Sequence, residues 1–136
     1  MLPILLSIAI AAPVGPCPEA KTTVEMDTCL GKVSNAADVE LARYLAAARK
    51  QAAADGLAVG QAFDDAQARW VAWRKAECDT LYLYWRSGTI RGAKYLSCRI
   101  DLTRARTRQL WQNWLTYPDS TPPILPEPPL SADAPS

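Results

Sequence analysis

Trp70, Arg74 and Cys78 stand four residues apart in the stretch QARWVAWRKAEC (67–78), so a helix carries all three on one face. Trp and Cys belong in a core, whereas Arg is seldom buried without a partner. The stem of Arg74 can lie beside Trp70 while its guanidinium meets a carboxylate. Asp38, Glu77 and Asp101 are the candidate partners, and Arg106 can form a similar inter-helix pair. This reading makes the face internal: an aromatic packing residue, an arginine that sets helix register, and an anchor for a disulfide. Trp73 reads as a core residue alongside Trp70.

Other chemistry is limited by what the chain lacks. It has no histidine, which removes Ser-His-Asp, Cys-His and His-metal arrangements together. No two cysteines stand at metal-ligand spacing, so zinc is a poor reading. Asp64-Asp65 is a carboxylate pair, but adjacent helical residues do not face one another. Its expected role is favourable charge near a helix N-terminus. RTRQLWQNW (106–114) mixes arginine and tryptophan, and reads as a solvated basic helix face rather than a base-stacking surface. No catalytic residue, metal ligand, cofactor or nucleic-acid site is assigned.

The elements that position these residues are helices. Eleven prolines are present and none lies between Glu19 and Tyr117. TTVE (22–25) reads as a capping box. Apolar positions then recur at steps of three and four through Leu30, Val33, Ala37, Leu41, Ala48 and Ala52. The alanine-rich stretch 42–54 adds helix propensity. Asp55-Gly56 ends this first helix at about 33 residues, with Gly56 expected as a left-handed cap. Gly31 and SNAAD are places where it could kink. LAVG (57–60) reads as a connector. A second helix follows Phe63, Ala66, Trp70, Trp73, Leu81 and Trp85. GTIRG (88–92) reads as a turn, and a third helix runs from about Ala93 to Pro118. The expected fold is all-α: a small three-helix antiparallel domain over 17–117 with a long first helix, stapled by two disulfides. Residues 118–136 hold seven prolines and are expected to be extended or disordered.

The apolar run MLPILLSIAIAA (1–12) is too short to span a membrane and reads as a signal-peptide core. An exported chain with four cysteines favours two disulfides. Three pairings are possible, and local closure favours Cys17–Cys29 and Cys78–Cys98. Charge is uneven despite a net value of +1. Residues 1–68 carry five basic and eight acidic groups, and residues 69–117 carry ten and three. A basic region on a near-neutral domain points to local rather than global charge effects.

TTVEMDTC (22–29), ADVELARYLAAA (37–48), AQARWVAWRKAEC (66–78), SGTI (87–90) and LTRARTRQL (102–110), with Cys98, resemble the lysozyme-inhibitor LprI-like domain family. The matching motif residues are Trp70, Arg74, Cys78, Gly88, Cys98, Thr103, Arg106 and Leu110, and read physically most of them are structural. Asp27 stands where the family has Asn, Ala42 where it has Asn, and Ser87 where it has Gly. The resemblance implies an exported bacterial helical domain with paired cysteines, periplasmic or secreted, and the lack of an acid–base or metal constellation makes an enzyme the weakest reading. The resemblance further implies binding to lysozyme, with the inhibitory surface on exposed loops or helix ends. The alternative reading is a cell-envelope module whose basic, tryptophan-bearing helices contact anionic wall polymer or a membrane surface.

Overall fold

The computed structural model describes residues 15–129. The apolar stretch 1–12 therefore lies outside the described residues, as do residues 130–136. Three helices follow one another: α1 (Thr23–Ala54), α2 (Leu57–Tyr84) and α3 (Arg91–Trp114). No strand occurs among the described residues. None of these helices is long and apolar enough to cross a membrane.

α1 starts where the sequence says it should. Thr22 Oγ1 accepts the Glu25 amide at 3.1 Å, and the Glu25 carboxylate accepts the amides of Thr22 and Lys21 at 3.2 and 2.7 Å. These bonds satisfy donors that a helix start otherwise leaves unpaired. The helix continues through Gly31 and Ser34-Asn35 without a break. Its 32 residues span roughly 48 Å.

The connection to α2 is shorter than the sequence reading allowed. LAVG is the first turn of α2, not a linker, because Gly56 turns the chain by itself. Its φ of +120° and ψ of 163° lie in the mirror-extended region, not the left-handed helical one. Only glycine adopts that conformation without strain. The second turn also moves. It spans Trp85–Ile90, and Arg91 already begins α3.

The bundle runs up, down and up, so α1 and α3 are parallel and share the largest interface. Two apolar clusters fill it. Leu30 and Ile100 pack with the Cys17–Cys29 bridge at the α2–α3 end. Leu41, Tyr44, Ala48, Ala52, Phe63, Leu110 and Leu115 form the larger cluster towards the other end. Buried Ala48 and Ala52 let neighbouring helices approach α1 closely. α2 contributes least: its buried side chains are Phe63, Gln67 and Cys78, against seven for α1. The second disulfide, Cys78–Cys98, ties the end of α2 to the start of α3. Closing a loop of 20 residues stabilises by about 3 kcal/mol in the chain-entropy account.

The proline-rich segment departs from expectation most. Residues 118–129 form neither helix nor strand but are docked on the bundle, so this part of the tail is not disordered. The segment turns back after Leu115, with the Ile124 amide on the Leu115 carbonyl at 2.9 Å. Trp111 Nε1 then donates to the Leu125 carbonyl at 2.9 Å and the Tyr44 hydroxyl to the Pro126 carbonyl at 2.8 Å. Arg108 grips Glu127, Leu125 joins the larger cluster, and Pro128 is buried. Prolines lack an amide but keep a carbonyl, so a proline-rich segment can be held largely by side-chain donors.

Candidate functional site

A polar layer separates the two apolar clusters, and it contains most of the residues singled out by sequence. Asp38 of α1 sits at its centre. Arg74 Nη1 of α2 donates to Asp38 Oδ1 at 2.8 Å, and Arg99 Nη2 of α3 donates to Asp38 Oδ2 at 3.0 Å. One carboxylate thus ties all three helices. Arg74 Nη1 also donates to Thr103 Oγ1 at 2.8 Å, and its guanidinium lies 4.8 Å from the Trp70 ring centroid. The Arg74 side chain is 12% exposed. Its partner is Asp38; no ion pair joins it to Glu77 or Asp101. Burial works against the charge of Arg99, but its bonds to Tyr95 and Asp38 outweigh burial and hold its pKa above the usual value.

Arg106 behaves differently from expectation. It pairs with no carboxylate among the described residues: its Nε donates to Gln67 Oε1 at 3.0 Å and its Nη1 to Gln109. Burial lowers its pKa. Gln67 is itself buried, so a neutral acceptor stands where an anion would carry a further desolvation cost. Thr103 and Leu110 are buried in the α3 face of this layer and of the larger cluster. Asp64 and Asp65 lie past the first turn of α2 and pair with Arg49 and Arg69. Their charges are matched by side chains rather than by the helix end.

The charges of this layer are matched within the molecule, although Asp38 remains 36% exposed, so a partner is better sought elsewhere. The exposed candidate is the α2–α3 end. Among the described residues twelve large hydrophobic side chains are exposed, and five of them fall within 82–90: Tyr82, Leu83, Tyr84, Trp85 and Ile90. Residues 80–100 hold four basic side chains and no acidic one. Lys94 sits 5.0 Å from the Trp85 ring and Arg91 6.0 Å from the Tyr82 ring. Tyr82 and Tyr95 meet edge to face across the hairpin. Arg91 is further held by the Tyr82 hydroxyl at 3.2 Å and the Gly88 carbonyl at 3.1 Å. The Cys78–Cys98 bridge lies beneath, so the end is fixed before any encounter.

Beside it runs a cleft of about 360 Å³, lined by Thr23, Val24 and Asp27 of α1 and by Tyr82, Thr89, Arg91 and Gly92. Asp27 presses on the first turn of α3: a Cβ at Gly92 would stand 2.8 Å from its Cγ. α3 has no side-chain cap of its own, so this carboxylate supplies favourable charge to its amino end. Gly88 has room for a Cβ and no unusual φ, and nothing in the structure requires glycine there.

The sequence places Trp70 and Trp73 in the core; Trp70 packs partly buried against the larger cluster, but Trp73 is 50% exposed, and Trp85, on the same helical pattern, is 37% exposed. Sequence reasoning did not single out Tyr82, Arg91, Lys94 or Tyr95. The signal available for them was the run without acidic residues between Asp79 and Asp101.

No curated protein and no solved structure matches the chain. The family model of lysozyme inhibitor LprI does match, over residues 16–110. That span takes in both disulfides, the whole polar layer and the α2–α3 end. The chain therefore belongs to the lysozyme inhibitor LprI family.

Proposed function

We propose that this protein is an exported, non-enzymatic inhibitor that binds lysozyme reversibly and occludes its glycan cleft. The observation that carries the reading is the family match over most of the chain. The build of the molecule supports it. Two disulfides suit an oxidising compartment such as the periplasm or the outside of the cell. A rigid helical body with a fixed, exposed end loses little conformational entropy on docking.

The experiment is loss of turbidity of a cell-wall suspension, with chicken-type, goose-type and invertebrate-type lysozymes tested separately. The folded, oxidised protein at micromolar concentration slows at least one class. Reduction of the disulfides abolishes the effect. No inhibition of any class refutes the reading.

The second reading, an envelope module that binds anionic wall polymer, draws on one observation. Cations lie against exposed aromatic rings at the α2–α3 end, and such pairs suit a charged glycan. Retention on purified cell wall without inhibition of lysozyme would favour it.

A further inference from the structure

We infer that the α2–α3 end is the surface that enters lysozyme, and that Arg86 and Arg91 meet carboxylates in its glycan cleft. The inference rests on the lysozyme reading above and adds to it a surface, a charge logic and a mode of inhibition.

Three observations converge on this end. Its exposed apolar side chains gather in one short segment, residues 82–90, with Tyr84 74% and Leu83 61% exposed and Tyr84 edge-on to Trp85. Exposed apolar side chains gathered in one place point to an interaction site more than isolated ones do. Its cations are unspent. Arg86, Arg91 and Lys94 form no ion pair with any described residue, whereas Arg74 and Arg99 share Asp38 and Arg108 has Glu127. Its geometry is preset. The Arg86 guanidinium donates to the Leu83 carbonyl at 3.0 Å, and Arg91 is held by Tyr82 and Gly88. Each arginine keeps further N–H groups for a partner.

The partner's chemistry follows from its reaction. Enzymes that cleave glycosidic bonds place two carboxylates on either side of the scissile bond, in a cleft shaped for sugar rings. A guanidinium pairs with a carboxylate through two parallel hydrogen bonds. Aromatic side chains fit where sugars stack.

The test uses the full chain. Arg86→Glu and Arg91→Glu are combined in one variant, with Lys50→Glu at the opposite end of α1 as a charge control. Inhibition constants are measured against a susceptible lysozyme, and thermal melts check the fold. The double reversal should raise the inhibition constant by at least about tenfold, because like charges then face one another. Lys50→Glu should leave it within about twofold. Should the double variant not fold, Tyr84→Ser removes an exposed ring and should weaken inhibition while melting like the parent. Inhibition should be competitive, and lysozyme filled with a chito-oligosaccharide should not bind. If the wild type inhibits and the folded hairpin variants inhibit equally well, this surface is wrong and the lysozyme reading stands. If the wild type, folded and oxidised, inhibits nothing, both fall. Loss of cell-wall retention in the double variant with inhibition unchanged would give the surface to anionic polymer and overturn the inference.

Discussion

Arg74 and Arg91 each place a guanidinium near an aromatic ring, 4.8 Å from the Trp70 centroid in one case and 6.0 Å from that of Tyr82 in the other. Their surroundings differ. Arg74 lies largely covered between three helices and its charge is taken up by Asp38. Arg91 is exposed, and its bonds go to neutral oxygens of its own hairpin. A charge that is matched inside the molecule fixes how helices sit. A charge that is held in place but left unmatched is available to another molecule. An arginine beside an aromatic ring thus sits in two different settings, and the carboxylate makes the difference.

Removing that carboxylate is the strongest way to break the contrast. Asp38→Ala strands Arg74 and Arg99 beside one another, and should cost about 3 kcal/mol, the low end for a buried pair because Asp38 is itself partly exposed. Thermal melting checks it, with a fall of about 10 °C expected for a domain of this size. Arg74→Ala should cost less, about 2 kcal/mol, because Asp38 keeps Arg99. If the two variants melt alike, Asp38 is not the shared centre of the layer.

The docked tail gives a smaller effect. Tyr44→Phe removes the bond to Pro126 and should cost about 1 kcal/mol. Exchange of the Ile124 amide should rise with it, since that amide lies on the same segment. Raising the pH should act the same way. Burial, and next the charge of Glu40, raise the Tyr44 pKa above its ordinary 10.0, with Arg43 opposing them. The folded state therefore holds this proton more tightly than the unfolded chain does. Its contribution is intact below about pH 10 and is lost as the pH climbs through the folded value. A Tyr44→Phe protein should lose this part of its alkaline sensitivity. Smallest of all is Arg91→Gln, which should shift stability by less than about 0.5 kcal/mol. A large loss of stability there would make the hairpin arginine structural and erase the distinction from Arg74.

Periodicity made the three helices legible, because steps of three and four persist over long stretches and TTVE marks a start by itself. Cysteine placement on either side of a chain reversal made the disulfide pairing legible too. The tail was not legible, because its partners are remote: Tyr44 and Pro126 are 82 residues apart. Composition reports only that a proline-rich strand cannot form its own ladder. The α2–α3 end was missed for a different reason. Tryptophan and tyrosine at helical spacing look like core whether or not a neighbouring helix covers them. Asp38 was legible as one of three options, and only the bundle could choose, since the choice depends on which helices are neighbours.

The light packing of α2 has a dynamic consequence. A helix that buries Phe63, Gln67 and Cys78, between neighbours that share the largest interface, is the natural first unit to open. Its amides should exchange at a lower opening energy than those of α1 and α3. The Cys78–Cys98 bond keeps its last turn attached while the remainder lifts. Opening then works like a hinge with its pin at the α2–α3 end, so transient excursions expose the larger apolar cluster while the hairpin surface stays assembled.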